Sequence, residues 1–118
     1  AYNQKGNEVT GTERRRAVLD EIAGCVCRDR QNSYGDAEDN FKNIADLANV
    51  VLQQKLSKPL DELDVAIFSM CIKMARTVGS RLYLDNYIDA GGYSVCAAGI
   101  IKKMNEDKLG LAPKTEAV

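Results

Sequence analysis

Apolar residues recur at three- and four-residue intervals along four segments of this 118-residue chain, and no segment alternates between apolar and polar residues as a strand would. Turn-forming residues separate the segments at Gly35, Pro59 and Gly79. The pattern therefore predicts an all-α fold, a bundle of about four helices. We expect one helical domain over residues 12–104, with flexible tails at residues 1–11 and 105–118.

Capping residues and turn signals set the expected limits of these helices. The helices are expected to begin near Thr12, at Asp36, at Asp61 with Asp64 in position N3, and near Leu82. They are expected to end near Arg30, Lys55, Gly79 and Met104. The third helix is apolar almost all round, which predicts a place at the centre of the bundle.

Two further features concern contacts between elements. Leu47 and Val50 lie outside the main apolar stripe of the second helix and indicate a subunit contact, so we expect a homodimer or a larger homo-oligomer. Gly91 and Gly92 lie inside the fourth helix, where each costs on the order of 1 kcal/mol relative to Ala. Their presence predicts the close approach of a neighbouring backbone or of a ligand.

The composition excludes several classes of function. Because 16 Lys and Arg residues nearly balance 17 Asp and Glu residues, the chain is not expected to bind nucleic acid or a membrane surface. It has no His, so it cannot by itself form a Ser/His/Asp set or a His-ligated zinc site. Its four cysteines have apolar neighbours and no Cys-x-x-Cys spacing, which predicts small core residues in a cytoplasmic protein. The longest uncharged stretch is too short to span a bilayer.

Polar side chains form matching stripes on the third and fourth helices. The third helix carries Ser69, Lys73 and Arg76, and the fourth carries Asp85, Asn86, Asp89 and Tyr93, all at helical spacing. If the two helices pack side by side, the stripes face each other. One interpretation is a structural ion-pair network. The other is a nucleotide site, in which Lys73 and Arg76 bind phosphate oxygens while Asp85 and Asp89 hold Mg²⁺.

A second polar cluster lies at the start of the second helix. Its acidic residues are explained by capping and by the helix dipole, with Asp36 as the N-cap. Capping does not explain Tyr34 or Asn40, which are suited to stacking on a base and to binding a base edge or a ribose hydroxyl. Glu38 is then placed to reach a metal ion. Asp64 has the same two interpretations, as a capping residue or as a metal ligand.

These blocks, in this order, resemble a family of small phage and prophage proteins of unknown function. The resemblance covers about Arg14 to Ile101 and rests on Tyr34-Gly-Asp through Asn40-Phe41, Asp64-Val-Ala through Lys73-Met-Ala-Arg76, and Asp85-Asn86 through Asp89 to Gly92-Tyr93. That family is in turn similar to nucleotide-modification-associated phage domains and, more distantly, to the MazG-like all-α nucleoside triphosphate pyrophosphohydrolases.

The distant resemblance implies an oligomeric helical bundle whose carboxylates hold Mg²⁺ and which splits NTP into NMP and pyrophosphate in the bacterial host cytoplasm. Asp85 and Asp89 correspond to the second acidic pair of those enzymes. Their first pair is two glutamates three residues apart, whereas this chain offers only Glu38, Asp39 and Asp46.

We therefore expect a phage-type nucleotide-binding protein, with Mg²⁺-dependent pyrophosphohydrolysis by Asp85, Asp89 and Glu38 or Asp64 as its activity. The first alternative is a non-catalytic binder that sequesters nucleotides, including cyclic signalling nucleotides, against host antiphage defence. The second alternative is a structural or interaction protein.

Overall fold

The computed structural model describes residues 1–29 and 36–110. These residues form four α-helices: α1 (Gly11–Gly24), α2 (Ala37–Val51), α3 (Glu62–Gly79) and α4 (Leu84–Lys108). A π-helical turn, Cys25–Asp29, continues α1. Within the described ranges there is no β-strand, and an isolated bridge pairs Tyr2 with Glu8. The predicted all-α class is confirmed.

The helices pack around an α3–α4 hairpin. The two helices contact each other along their lengths, α2 packs on α3, and α1 packs on α4. The core is small and is formed by Phe41, Ala45, Val65, Ala66, Ala97 and Ile100. Because α3 and α4 are consecutive, are joined by four residues and pack along each other, they run antiparallel, and this arrangement positions the polar stripes.

The first helix begins earlier than the sequence predicts. Thr10, not Thr12, is the N-cap: its hydroxyl accepts a hydrogen bond from the Glu13 backbone N–H, and the Glu13 carboxylate accepts one from the Thr10 N–H. This reciprocal capping box needs an acid three residues after the cap, which Thr10 has and Thr12 lacks. The Asn3 side chain also donates to Glu13 at 3.3 Å, so the described part of the expected N-terminal tail contacts α1.

The predicted cap of α3 is confirmed, because Asp61 and Asp64 form a second capping box. The limits of α2 and α4 differ from prediction. The end of α2 lies at Val51, and the Asn49 side chain in its last turn holds the returning chain by hydrogen bonds to both main-chain groups of Leu60. The last helix runs past Met104 to Lys108, since no helix-breaking residue occurs before Gly110, which has a φ of 70°.

The paired glycines of α4 are closely approached, but by side chains rather than by the neighbouring backbone or ligand that the sequence predicts. A Cβ added to Gly91 would lie 2.6 Å from Ile22 Cδ1, and one added to Gly92 would lie 3.1 Å from Val26 Cγ1. Both neighbours belong to the segment formed by α1 and its π-helical turn. The missing side chains therefore let this segment pack directly on the α4 backbone.

Several apolar and cysteine side chains are more exposed than predicted. Cys27 and Cys71 are exposed, so the prediction that every cysteine is a core residue is wrong. The central position predicted for α3 holds for its contacts with α2 and α4, whereas its opposite side is exposed in the single chain. No helix among the described residues is long and apolar enough to cross a membrane.

The domain limits at residues 12 and 104 stay predictions. The expected turn at Gly35, the expected helix end at Arg30 and the last eight residues of the expected C-terminal tail lie outside the described ranges.

Candidate functional site

The two polar stripes meet at one ion pair. Lys73 Nζ on α3 lies 2.9 Å from Asp89 Oδ2 on α4, and the two side chains are 18% and 33% exposed. The expected facing of the two helices is therefore observed at this position. The pair is partly shielded from water but open on one side, so a dissolved ligand has access to it.

The antiparallel packing determines which of the remaining stripe residues on α3 and α4 lie opposite one another. Each step forward along α3 is a step backward along α4, so Arg76 lies level with Asn86, and Ser69 lies level with Tyr93. Ser69 is half-buried and Arg76 is exposed. In the part of the chain that the structure describes, no carboxylate lies within ion-pair distance of Arg76, so its guanidinium is open to solvent.

Asn86 is the buried polar residue of this region. Only 4% of its surface is exposed, and its backbone N–H donates to the Tyr83 carbonyl. Its side-chain amide, in contrast, makes no hydrogen bond with any described residue. A buried carboxamide without a partner is uncommon, because its desolvation costs about 1–3 kcal/mol when no hydrogen bond replaces water.

The other predicted acidic ligands have separate partners. Asp85 is exposed in the first turn of α4 and accepts a hydrogen bond from the Tyr83 hydroxyl at 3.2 Å. Glu38 pairs with Lys103 at 3.4 Å, and this contact raises the pKa of the Lys103 ammonium. Asp64 accepts the Asp61 N–H in the capping box of α3.

A predicted Mg²⁺ site is not assembled by the residues described. Each of Asp85, Asp89, Glu38 and Asp64 contacts a different partner, and across residues 1–29 and 36–110 no three acidic or cysteine side chains converge on a point that suits a metal ion. Mg²⁺ prefers several oxygen ligands in octahedral geometry. The described carboxylates of a single chain do not by themselves supply such a set.

The cluster predicted at the start of α2 lies next to the ion pair, because Phe41 of α2 and Asp89 of α4 line the same small cavity. The rings of Phe41 and Tyr93 lie 6.0 Å apart at 41°, and both line a cavity of about 10 Å³ that also contacts Asp89. That volume holds about one water molecule, so a nucleotide base does not enter it. Asn40 is half-buried one residue away from Phe41, and Tyr34 lies outside the described residues.

Sequence reasoning missed two side-chain contacts. Asn49 bonds the main chain of Leu60 at 2.7 and 3.0 Å, and Lys103 reaches Glu38 although 65 residues separate them. Neither contact has a local signal, because each depends on how distant segments come together.

Comparison with known proteins gives the chain a family but no activity. Two curated relatives, both called Gene 55 protein, come from Mycobacterium phages D29 and L5. The D29 protein is 30% identical over 87 residues, which cover 74% of this chain and 55% of the relative. The L5 protein is 32% identical over 75 residues, which cover 64% of this chain and 44% of the relative.

The chain thus spans about half the length of the curated relatives it matches. No solved structure is significantly similar to it. The expected likeness to small phage proteins of unknown function is confirmed by these relatives and by a family model that matches residues 17–101, from α1 through most of α4. The chain belongs to the family described as Domain of unknown function (DUF6378).

Proposed function

We propose that this protein binds a nucleotide through its phosphate groups, with Lys73 and Arg76 as the phosphate ligands and without a requirement for Mg²⁺. The observation that carries the proposal is the half-buried Lys73–Asp89 pair at 2.9 Å, one helical turn from a buried Asn86 side chain without a partner. Together they provide an ammonium group and a carboxamide whose donors and acceptors are not all bonded by the described residues.

Lys73 supplies the first phosphate contact. An ammonium group has three donors, and Asp89 is the one ion-pair partner that Lys73 has among the described residues. Its remaining donors are available to phosphate oxygens, which accept charge-assisted hydrogen bonds. Asp89 holds the ammonium in place before the ligand arrives, so little side-chain entropy is lost on binding.

Arg76 and Asn86 extend the site along the hairpin. Arg76 lies one turn after Lys73 and is exposed, and its planar guanidinium is suited to bidentate contact with phosphate. Asn86 lies level with Arg76 on the facing helix, and its carboxamide both donates and accepts. This combination is typical of a group that binds a ribose hydroxyl or a base edge. A ligand there would satisfy the unpaired amide.

The separation of the carboxylates favours binding over hydrolysis. Mg²⁺ activates water where carboxylates hold it beside the reacting phosphate, whereas the four candidate carboxylates each contact a different partner. We therefore propose the non-catalytic role, in which the ligand is retained intact. The phage relatives make sequestration of a nucleotide used in host defence, including a cyclic one, a consistent purpose.

The test is incubation of the purified chain with canonical and cyclic nucleotides, with Mg²⁺ or with EDTA, followed by mass analysis of bound and free species. We expect an intact nucleotide to be retained in EDTA. Release of NMP and pyrophosphate only with Mg²⁺ would instead establish the hydrolase. Absence of binding to every nucleotide would contradict both and favour a structural protein.

A matched pair of lysine variants assigns the site. Lys73→Met should weaken nucleotide binding at least tenfold, measured by calorimetry. Lys42→Met removes the same charge from an exposed pair with Asp46 on α2 and should leave affinity unchanged. Equal losses in both variants would show that general charge, not this site, attracts the ligand.

A further inference from the structure

We infer that one side of α1 is a docking surface for an acidic amphipathic helix of a partner protein. We call this surface the basic face of α1. It consists of four exposed residues, Arg14, Arg15, Val18 and Leu19. The inference is independent of the nucleotide proposal, because none of these residues belongs to the site on α3 and α4.

The first helix is little covered by the rest of the chain. Of its 14 residues, Ile22 is the one that is buried in the structure as described. A helix of this length is marginal in water on its own and is stabilised in proteins mainly by the packing of an apolar face. Because α1 has that packing near one end only, the remainder of its apolar face is open to a partner.

The apolar side chains of the basic face continue the stripe that packs on α4. Ile22 approaches Gly91 of α4, and Val18 and Leu19 lie about one turn before Ile22 on the same side of α1. Val18 is 36% exposed and Leu19 is 63% exposed. The four residues of the basic face line one open depression whose surface is almost entirely apolar. Such a surface, beside an existing helix–helix contact, is suited to a further helix laid along α1.

The charges of α1 are segregated around the helix. At about 100° per residue, the basic face spans an arc of about 140° that contains Arg14 and Arg15 and no acidic residue. Glu13 and Asp20 lie on the opposite side of the helix, and Glu21 lies just outside the arc. The basic face therefore carries positive charge beside its apolar side chains, and a complementary occupant carries negative charge beside its own.

Neither guanidinium group of the basic face has an acidic partner. In residues 1–29 and 36–110, no carboxylate lies within ion-pair distance of Arg14 or Arg15, and Arg15 donates to the Thr12 hydroxyl at 3.3 Å. Guanidinium groups form strong, charge-assisted hydrogen bonds with carboxylates. Nucleic acid is the less favourable occupant, because its single strands bind by stacking on aromatic rings, and this face has aliphatic side chains instead.

The occupant comes from a partner rather than from the C-terminal segment of this chain. Residues 111–118 contain one Lys and one Glu, so their side chains bring no net negative charge to the basic face. An acidic amphipathic helix, in contrast, brings carboxylates and apolar side chains at three- and four-residue intervals. Charge and apolar surface on α1 are presented at that same spacing.

The test begins with peptides selected without bias. An mRNA-display library of random peptides of about 15 residues, roughly four helical turns, is selected on the purified chain. Enriched peptides are labelled with fluorescein, and their affinity is measured by anisotropy. We expect them to carry Asp or Glu together with Leu or Ile at helical spacing. Enrichment of basic or uncharged peptides only, or of no peptide, would overturn the inference.

Two matched pairs of variants assign the peptide to the basic face. Arg15→Glu should weaken binding at least tenfold, because it replaces attraction to the peptide carboxylates by repulsion. Arg16→Glu makes the same change of charge on the other side of α1 and should leave the affinity unchanged. Leu19→Ala should also weaken binding, whereas Leu47→Ala truncates a similarly exposed side chain on α2 and should not. Equal losses within either pair would contradict the assignment.

Two further measurements separate the other occupants. Fluorescein-labelled DNA and RNA oligonucleotides should bind more weakly than the enriched peptides, and a stronger affinity that Arg15→Glu abolishes would assign the face to nucleic acid. The sedimenting mass of the chain alone should be the same in Arg15→Glu as in the wild type, and a lower mass would assign the face to a second copy. If Arg15→Glu loses helix content in circular dichroism, the peptide selection and the two leucine variants still decide the question.

Discussion

Removal of the Lys73–Asp89 pair should reveal how much the contact between the two stripes stabilises the fold. At the observed 2.9 Å separation, Coulomb's law gives about 1.4 kcal/mol in water and about 6 kcal/mol at an effective dielectric constant of 20. Because a third of the Asp89 side chain is exposed, water screens the pair, and desolvation and side-chain ordering offset part of the attraction. We expect a coupling free energy of about 1–2 kcal/mol.

The assay is a double-mutant cycle with Lys73→Met, Asp89→Leu and the double variant. Urea unfolding is followed by circular dichroism, with all four proteins at the same concentration. Each single variant leaves one partly buried charge without its partner. The losses of unfolding free energy in the two single variants should therefore add up to more than the loss in the double variant. A coupling below about 0.3 kcal/mol, within the error of such cycles, would refute the reasoning that the two charges stabilise each other.

Three further predictions concern the hydrogen-bonding groups. Asn86→Leu should raise the free energy of unfolding by about 1–2 kcal/mol, because it removes a buried unpaired amide, and should weaken nucleotide binding; lower stability in urea unfolding would contradict this. Asn49→Ala should destabilise by about 1–3 kcal/mol in the same assay, since it unpairs the N–H and C=O of Leu60; an unchanged midpoint would contradict it. The Thr10 N–H holds the pKa of the Glu13 carboxyl below its ordinary 4.5, so its stabilisation is present above pH 4.5 and is lost as pH falls through the lowered value. Glu13→Gln should flatten that acid dependence of thermal unfolding.

The opposed effects expected for Asn86→Leu connect stability with function. When a residue that only supports the fold is replaced, the protein becomes less stable. A residue retained for a ligand costs stability in the free protein and gains its partner on binding. The comparison with Lys73→Met then separates the two roles, because both variants should lose affinity while only Asn86→Leu gains stability.

Features that depend on neighbours in sequence could be predicted before the structure. The spacing of apolar residues determined the all-α class, and an acid three residues after Asp61 determined the cap of α3. The start of α1 is an equally local feature, because its capping box needs only Thr10 and the acid three residues later, Glu13. Periodicity also predicted that the two polar stripes would face each other if α3 and α4 packed side by side, and Lys73 and Asp89 are the residues at which they meet.

Features that depend on which surfaces meet were decided by tertiary structure alone. Periodicity shows that α3 has apolar residues on all sides, but not that Phe68 and Val78 are exposed in the described part of the chain. Likewise, Asn86 appears from the sequence to be one more polar residue of a stripe, and only packing shows that it is buried. The physical reason is that a helical repeat determines the direction of each side chain relative to its own axis, whereas burial and pairing depend on the position of the neighbouring helix.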